Sequence, residues 1–441
     1  MIRLQIVNPS FGRTLFYLFS RQEFPTLLNF HGSATMEKIA ARAGKAPSYY
    51  PHVHHTLLMH SLRRIFTAFT TSLSLLACNA QVQAADAPKA GDVLVYIGTY
   101  TGKKSQGIYV SRLDPKTGQM STPELAGEMT NPSWVTIHPS RKFLFAAGEG
   151  GHPGGGAVAG FAIGAEGKLT AINSQPPNGN GPCHLAIDQT GKTIVVSNYG
   201  DGSVSSLLID ADGKLSPSAW VDKHPSLGEK QKPHAHATEF DPSNQFAVSC
   251  DAGIDRLYVY RFNALTGLLT PNEPAFITTA TDTHPRHLTF SLDGKFCYDI
   301  DEHSKSVTAF RFDAKLGSLS QIHTISTLPQ GYEGKGGSTA ELILHPSGKF
   351  LYGSNRGHDS IVAYAIDPMT GKLTLIGHTL TEGKTPRGFG VDPTGGWLIV
   401  GNQGSDSVVQ FKIDPSTGLL SLTGTKFEVG APVCFKLLEL K

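Results

Sequence analysis

Charge is scarce in this chain. Asp, Glu, Lys and Arg make up 17% of its 441 residues and the formal net charge is +2, against about 25% charged in an average globular protein. A balance so near zero supplies no field to recruit nucleic acid or an acidic membrane, and no basic cluster with interleaved aromatics occurs, so no nucleic-acid partner is expected. Cysteine is also sparse, with five residues and no C-x-x-C pair. That argues against a structural zinc site. No G-x-S-x-G nucleophile elbow is present and no cysteine stands out as reactive, which disfavours a covalent acyl-enzyme. The segment 91–441 lacks any long amphipathic pattern of helical period. It also lacks an apolar run long enough to cross a bilayer, so no transmembrane segment is expected in the mature domain. Glycine, by contrast, is abundant at 48 residues, the balance of many short strands joined by tight turns.

The first ninety residues do not read as domain material. From Met59 the sequence runs "MHSLRRIFTAFTTSLSLLACNAQVQAADAP". Arg63 and Arg64 form a basic start, Ile65 to Ala77 a short apolar run, and Val82-Gln83-Ala84 a small-residue cleavage site, which together make a secretory signal over 59–84. Arg63-Arg64-Ile65-Phe66 resembles part of a twin-arginine signal, and Leu75-Leu76-Ala77-Cys78 offers a lipobox with Cys78 as a lipid anchor. Residues 1–58 read as an upstream extension, expected to be disordered. The expected location is periplasmic or secreted, or cytoplasmic if the signal reading fails, and the expected domain is 85–441.

Within that domain one phrase recurs: "DPKTGQM", "GAEGKL", "DADGKL", "NALTGLL", "DAKLGSL", "DPMTGKL" and "DPSTGLL". Its glycines stand at 118, 167, 213, 267, 317, 371 and 418, a period near fifty. A second phrase, seen in "HPSGKFLY" and "DPTGGWLI", interleaves with it six times. Each cycle reads strand, tight turn, strand, polar loop, strand, tight turn, strand, with β-branched and aromatic segments between Gly, Pro, Asn and Asp. Four antiparallel strands in seven repeats predict an all-β, seven-bladed β-propeller. The opening "VLVYIGTY" matches the second strand of a cycle and the closing "APVCFKLLEL" a first strand. The C-terminal strand is therefore expected to complete the first blade, closing the ring and removing open sheet edges.

In such a ring the tight turns share one face. The loops between second and third strands, and the starts of the first strands, share the other, around the axis. Polar residues concentrate at these places: "GPCHL", "KPHAHA", "HPRHL", "TAEL" and "TPRGF" at first-strand starts, and "SNYGDGS", "DAGIDR", "DIDEHS", "SNRGHDS" and "GNQGSDS" in the loops. The Asp that recurs from blade to blade (Asp255, Asp359, Asp406) reads as structural, holding loop backbone. Large ionisable residues that break the repeat are more informative. His236, Arg286, Glu302 and Arg356 are the candidate catalytic set. His184, His234, His287, Glu341, Arg387 and Gln403 are candidates to bind substrate, with His234 in a supporting part. Arginine forks grip carboxylate or phosphate and His or Glu can act as general base, so the pocket suits an anionic or carbonyl-bearing small molecule. An Arg-rich pocket disfavours a bound cation, and no metal is expected there.

The strings "YIGTYT", "KPHAHATEFDP", "HPRHLTFS", "SNRGHDSIVAYAID", "TPRGFGVDPTG" and "APVCF" give the chain a resemblance to the lactonase family of seven-bladed β-propellers, over nearly all of 91–441. The resemblance implies hydrolysis of a sugar lactone, without a cofactor, by a His, a Glu and two Arg, which fall on His236, Glu302, Arg286 and Arg356. The chain departs from the family's usual phrase at "DEHSKS", where Lys305 stands in the place of the expected Asp. A secreted propeller that binds a small anion or a protein without catalysis is the alternative.

Overall fold

The computed structural model describes residues 3–8, 13–18, 89–150, 155–332 and 336–441. The signal-like segment 59–84 and Cys78 lie outside them. Two strands, Arg3–Asn8 and Arg13–Leu18, pair antiparallel by themselves.

The remainder forms seven four-stranded antiparallel sheets. Blades 2 to 7 are consecutive in sequence. Blade 1 is assembled from both ends of the domain: the C-terminal strand Pro432–Glu439 pairs with Val93–Thr99, with Val93 opposite Glu439 and Ile97 opposite Phe435. Each innermost strand lies against the innermost strand of the next blade around the ring. The expected propeller and its closure are therefore both present.

Burial follows position in the blade. Second strands such as Phe296–Asp301 are buried throughout, because neighbouring blades cover both faces. Fourth strands such as Leu215–Lys223 alternate between exposed and partly buried residues, as an outer strand with one wet face should. The repeated glycines lock blade to blade. All seven have φ between +65° and +79°, the left-handed region that costs a Cβ-bearing residue most. A Cβ at Gly213 would overlap Phe143 of the preceding blade, and one at Gly371 would overlap Phe296. The four cysteines of the domain are buried and free, consistent with small apolar packing residues.

Candidate active site

Each innermost strand carries a β-bulge at the same end. In blade 5 Pro285 pairs with Asp301 and His287 with Ile300, which leaves Arg286 as the extra residue. The same slip leaves His236 in blade 4 and Arg387 in blade 7. In blades 1, 2, 3 and 6 the extra residues are Val433, Ser133, Cys183 and Ala340. A bulge re-aims its side chain relative to the ladder. A second ring follows from the same register. The residue after the second-strand partner that flanks each bulge is Glu302 in blade 5, Arg356 in blade 6 (where it also pairs with Ser338), Gln403 in blade 7 and Tyr100, Glu149, Tyr199 and Ala252 in blades 1 to 4.

The two rings bring the candidate set together. The Glu302 carboxylate lies between two guanidiniums, with Oε1 2.6 Å from Arg356 Nη2 and Oε2 3.5 Å from Arg286 Nε. Arg356 also donates to Thr339 O from Nε (3.2 Å) and Nη2 (2.5 Å), and Arg286 Nη1 donates to Ala340 O at 2.6 Å. Burial opposes the charge on Glu302, but Arg286 and Arg356 together outweigh it and hold the carboxyl below its usual range. Burial, then repulsion from Arg387, lowers Arg286 to about 10, so it remains a cation at neutral pH. His236 is 4% exposed. Burial first, and then Arg286, push it well below the usual imidazole range, so it is neutral. Its Nδ1 is buried without a hydrogen-bond partner, as is Arg286 Nε.

One step further along the innermost strands lie His184, His287 and Glu341. Because Arg286 Nη1 can only donate to His287 Nε2 (3.0 Å), that nitrogen accepts, and the Nδ1–H donates to Glu341 Oε1 at 2.9 Å. The network therefore fixes a neutral His287 and backs Arg286 from behind. Burial, followed by Arg286, lowers His287 strongly. The His184 ring packs tilted against Trp134, with centroids 4.2 Å apart, and Nε2 faces Glu239 Oε1 at 3.5 Å. These residues border a cavity of about 300 Å³ that continues between the innermost strands past Glu239, Gly390 and Lys436. His184, His287 and Glu341 thus lie under the Arg–Glu–Arg cluster, lining the channel.

The rim holds the other candidates. Arg387 lies over the Tyr100 ring, 5.6 Å from its centre, and Tyr100 donates to Glu149. His234 stacks on Tyr199 at 4.5 Å, and its Nδ1 is 2.8 Å from Tyr199 O. Gln403 is tied by its backbone N–H to Thr385 O. Among the described residues no contact joins its side chain to the cluster. Sequence reasoning missed Tyr100, Glu149, Trp134, Glu239 and Lys436. Counting register from each second strand would have found the first two.

The recurring aspartates do hold backbone. Asp255 accepts from the N–H groups of Asp282 and His284, Asp359 from Gly357 and Thr385, and Asp406 from Ala431.

A seven-bladed ring with a buried His beside an Arg–Glu–Arg cluster is a framework that can hold a small anionic or carbonyl-bearing molecule. The sequence matches the family described as "Lactonase, 7-bladed beta-propeller" over residues 94–437. It is 33% identical over 301 residues to a 6-phosphogluconolactonase of Bacillus subtilis, covering 67% of this chain and 84% of that protein. A 6-phosphogluconolactonase of Formosa agariphila is 32% identical, covering 68% and 86%. Among solved structures, a periplasmic gluconolactonase of Pseudomonas aeruginosa superposes with a TM-score of 0.75 at 32% identity, covering 79% of this chain and all of that one. The chain belongs to the lactonase family of seven-bladed β-propellers, and it is an enzyme of the lactonase class.

Proposed function

We propose that the axial cluster opens a sugar lactone by direct attack of water, with His236 as the general base. Glu302 is a poor base, because Arg286 and Arg356 engage its two oxygens and hold it ionised. His236 is neutral and lies beside the two guanidiniums, and that observation carries the assignment; Nε2 is the nitrogen that takes the proton, because Nδ1 is shut off from solvent. Water attacks the lactone carbonyl and gives its proton to His236. Arg286 and Arg356 steady the oxyanion. The bond from the carbonyl carbon to the ring oxygen then breaks, and the proton passes to the leaving oxygen to give the hydroxy acid. Glu302 keeps the two guanidiniums from repelling each other. Arg387 and His184 orient the sugar.

The substrate we favour is a non-phosphorylated aldonolactone. The signal-like segment 59–84 would carry the enzyme to the periplasm or beyond, and the Pseudomonas aeruginosa relative, all of which is covered by 79% of this chain, is named a periplasmic gluconolactonase. N-terminal sequencing of the exported protein, and labelling of Cys78 with a radioactive fatty acid, test the leader and the anchor.

The test of the chemistry is acid release from a panel of phosphorylated and unphosphorylated lactones. His236→Gln is expected to lower kcat by about 10²-fold or more, and Glu302→Gln by less, with a rise in KM. A larger loss for Glu302→Gln would transfer the base role to Glu302. No acid release from any lactone by the unaltered protein would favour a binding propeller.

A further inference from the structure

We propose that the rim of blade 5 binds a borderline divalent transition metal, of the Zn²⁺, Ni²⁺ or Cu²⁺ type, through Asp282, His284 and His303. The three residues offer one carboxylate oxygen and two ring nitrogens, all within 4.8 Å of one another. Asp282 Oδ2 lies 2.9 Å from His303 Nδ1, and Oδ1 lies 3.4 Å from His284 Nε2. Donors bound to one such ion sit about 3 to 3.5 Å apart, so small side-chain movements would close the set. Asp282 and His303 are exposed and His284 is half-buried, so an ion has access from solvent.

The donors come from two loops that the fold already ties together. Asp255 accepts from the backbone of Asp282 and His284. Glu302 N–H donates to His284 O at 2.7 Å, and His303 N–H to Thr283 O at 3.1 Å. Asp282 and His284 both sit at left-handed φ, +65° and +55°. Most of the ordering cost of bringing three ligands together is thus met by the fold. Two imidazoles and one carboxylate select a borderline ion over calcium or magnesium, which prefer oxygen. The site is separate from the axial cluster, although His303 follows Glu302 and His284 precedes Arg286 by two residues. It stands independently of the lactone reading.

Zn²⁺ and Cu²⁺ are the probes, titrated into the full chain after chelator treatment. Because His52, His54 and His55 near the N-terminus can also take up metal, the result is read as a difference. The unaltered chain is expected to bind one more equivalent than the His284→Gln/His303→Gln double variant, and each single change is expected to weaken that equivalent about tenfold or more. The Cu²⁺ paramagnetic resonance spectrum of the extra equivalent is expected to show two nitrogen ligands. Equal stoichiometry in parent and double variant, or an extra equivalent without nitrogen coupling, overturns the site.

Discussion

The bulge of the innermost strand recurs in every blade, yet its residue differs sharply between them. Blades 4, 5 and 7 place His236, Arg286 and Arg387 there, whereas blades 1, 2, 3 and 6 place Val433, Ser133, Cys183 and Ala340. The backbone device is therefore architectural and the chemistry is chosen by the side chain set upon it. The plain positions also serve their neighbours. Ala340 offers its carbonyl to Arg286, and the Cys183 thiol donates to His236 O at 3.2 Å. A small residue at one bulge leaves room for the large residue at another and bonds to it, as an acceptor at Ala340 and as a donor at Cys183.

The largest effect expected from breaking this contrast is at Arg286. Arg286→Met keeps most of the volume but removes an oxyanion partner, and kcat/KM is expected to fall by about 10²- to 10³-fold. It also leaves the buried carbonyl of Ala340 and Nε2 of His287 without their donor, at a cost of about 1–3 kcal/mol in stability. Ser133→Ala, at the equivalent bulge of blade 2, should change neither quantity appreciably. Lactonase assays and urea unfolding on the pair decide it: equal activity loss at both positions would mean the bulge, rather than the charge, is what matters.

A second contrast lies in the strands leading to these bulges. Asp299 and Asp301 of blade 5 are buried two residues apart, and burial first, then each other's charge in the case of Asp299, raises both above the usual carboxylate range. One oxygen on each, Asp299 Oδ2 and Asp301 Oδ1, has no donor, and a proton shared between them would satisfy both. The folded carboxyls thus hold protons that the unfolded chain releases near its ordinary pKa of about 3.9. Stability from this pair is fully present below that value and is lost as pH rises through the folded values. Asp299→Asn should flatten that decline, seen as a smaller difference in urea midpoint between pH 5 and pH 8. An unchanged difference would show that the pair is ionised in the folded protein.

Much of this was legible in the chain. The seven glycines and the Asn, Asp and Pro of the turns are local signals of the strand count and the alternation of turns, and the unmatched strands at the two ends of the domain imply the ring closure. His236, Arg286, Glu302 and Arg356 stood out as large ionisable residues breaking an otherwise repeated pattern, and the structure does bring them together. The bulges were not legible. A one-residue slip depends on how adjacent innermost strands pack around the axis, and its one local mark, a proline just before the bulge residue at Pro132, Pro182, Pro285, Pro386 and Pro432, equally fits the first residue of a strand. For the same reason His184, His287 and Glu341 read as level with the cluster, although each stands one step beyond its bulge and lines the channel below. Asp282 and His284 were overlooked because the loop before a first strand has no repeated phrase against which to stand out.

The smallest contrast is between Lys305 and the recurring aspartates. All four precede a third strand at left-handed φ: Asp255 at +53°, Lys305 at +56°, Asp359 at +56° and Asp406 at +50°. All four carbonyls accept from the blade's outer end, as Thr327 N–H does to Lys305 O and Thr381 N–H to Asp359 O. Lys305 thus retains the backbone half of the device and lacks the carboxylate half. Asp359→Lys should cost about 1–3 kcal/mol, because the N–H groups of Gly357 and Thr385 lose their acceptor. Lys305→Asn should gain about 0.5 kcal/mol, because asparagine accepts the left-handed region that costs other residues about 1–2 kcal/mol. Chemical denaturation at constant m-value measures both. A loss of stability in Lys305→Asn would show that the lysine side chain itself holds the blade 5 loop, and that the departure at "DEHSKS" is a replacement of the anchor rather than its removal.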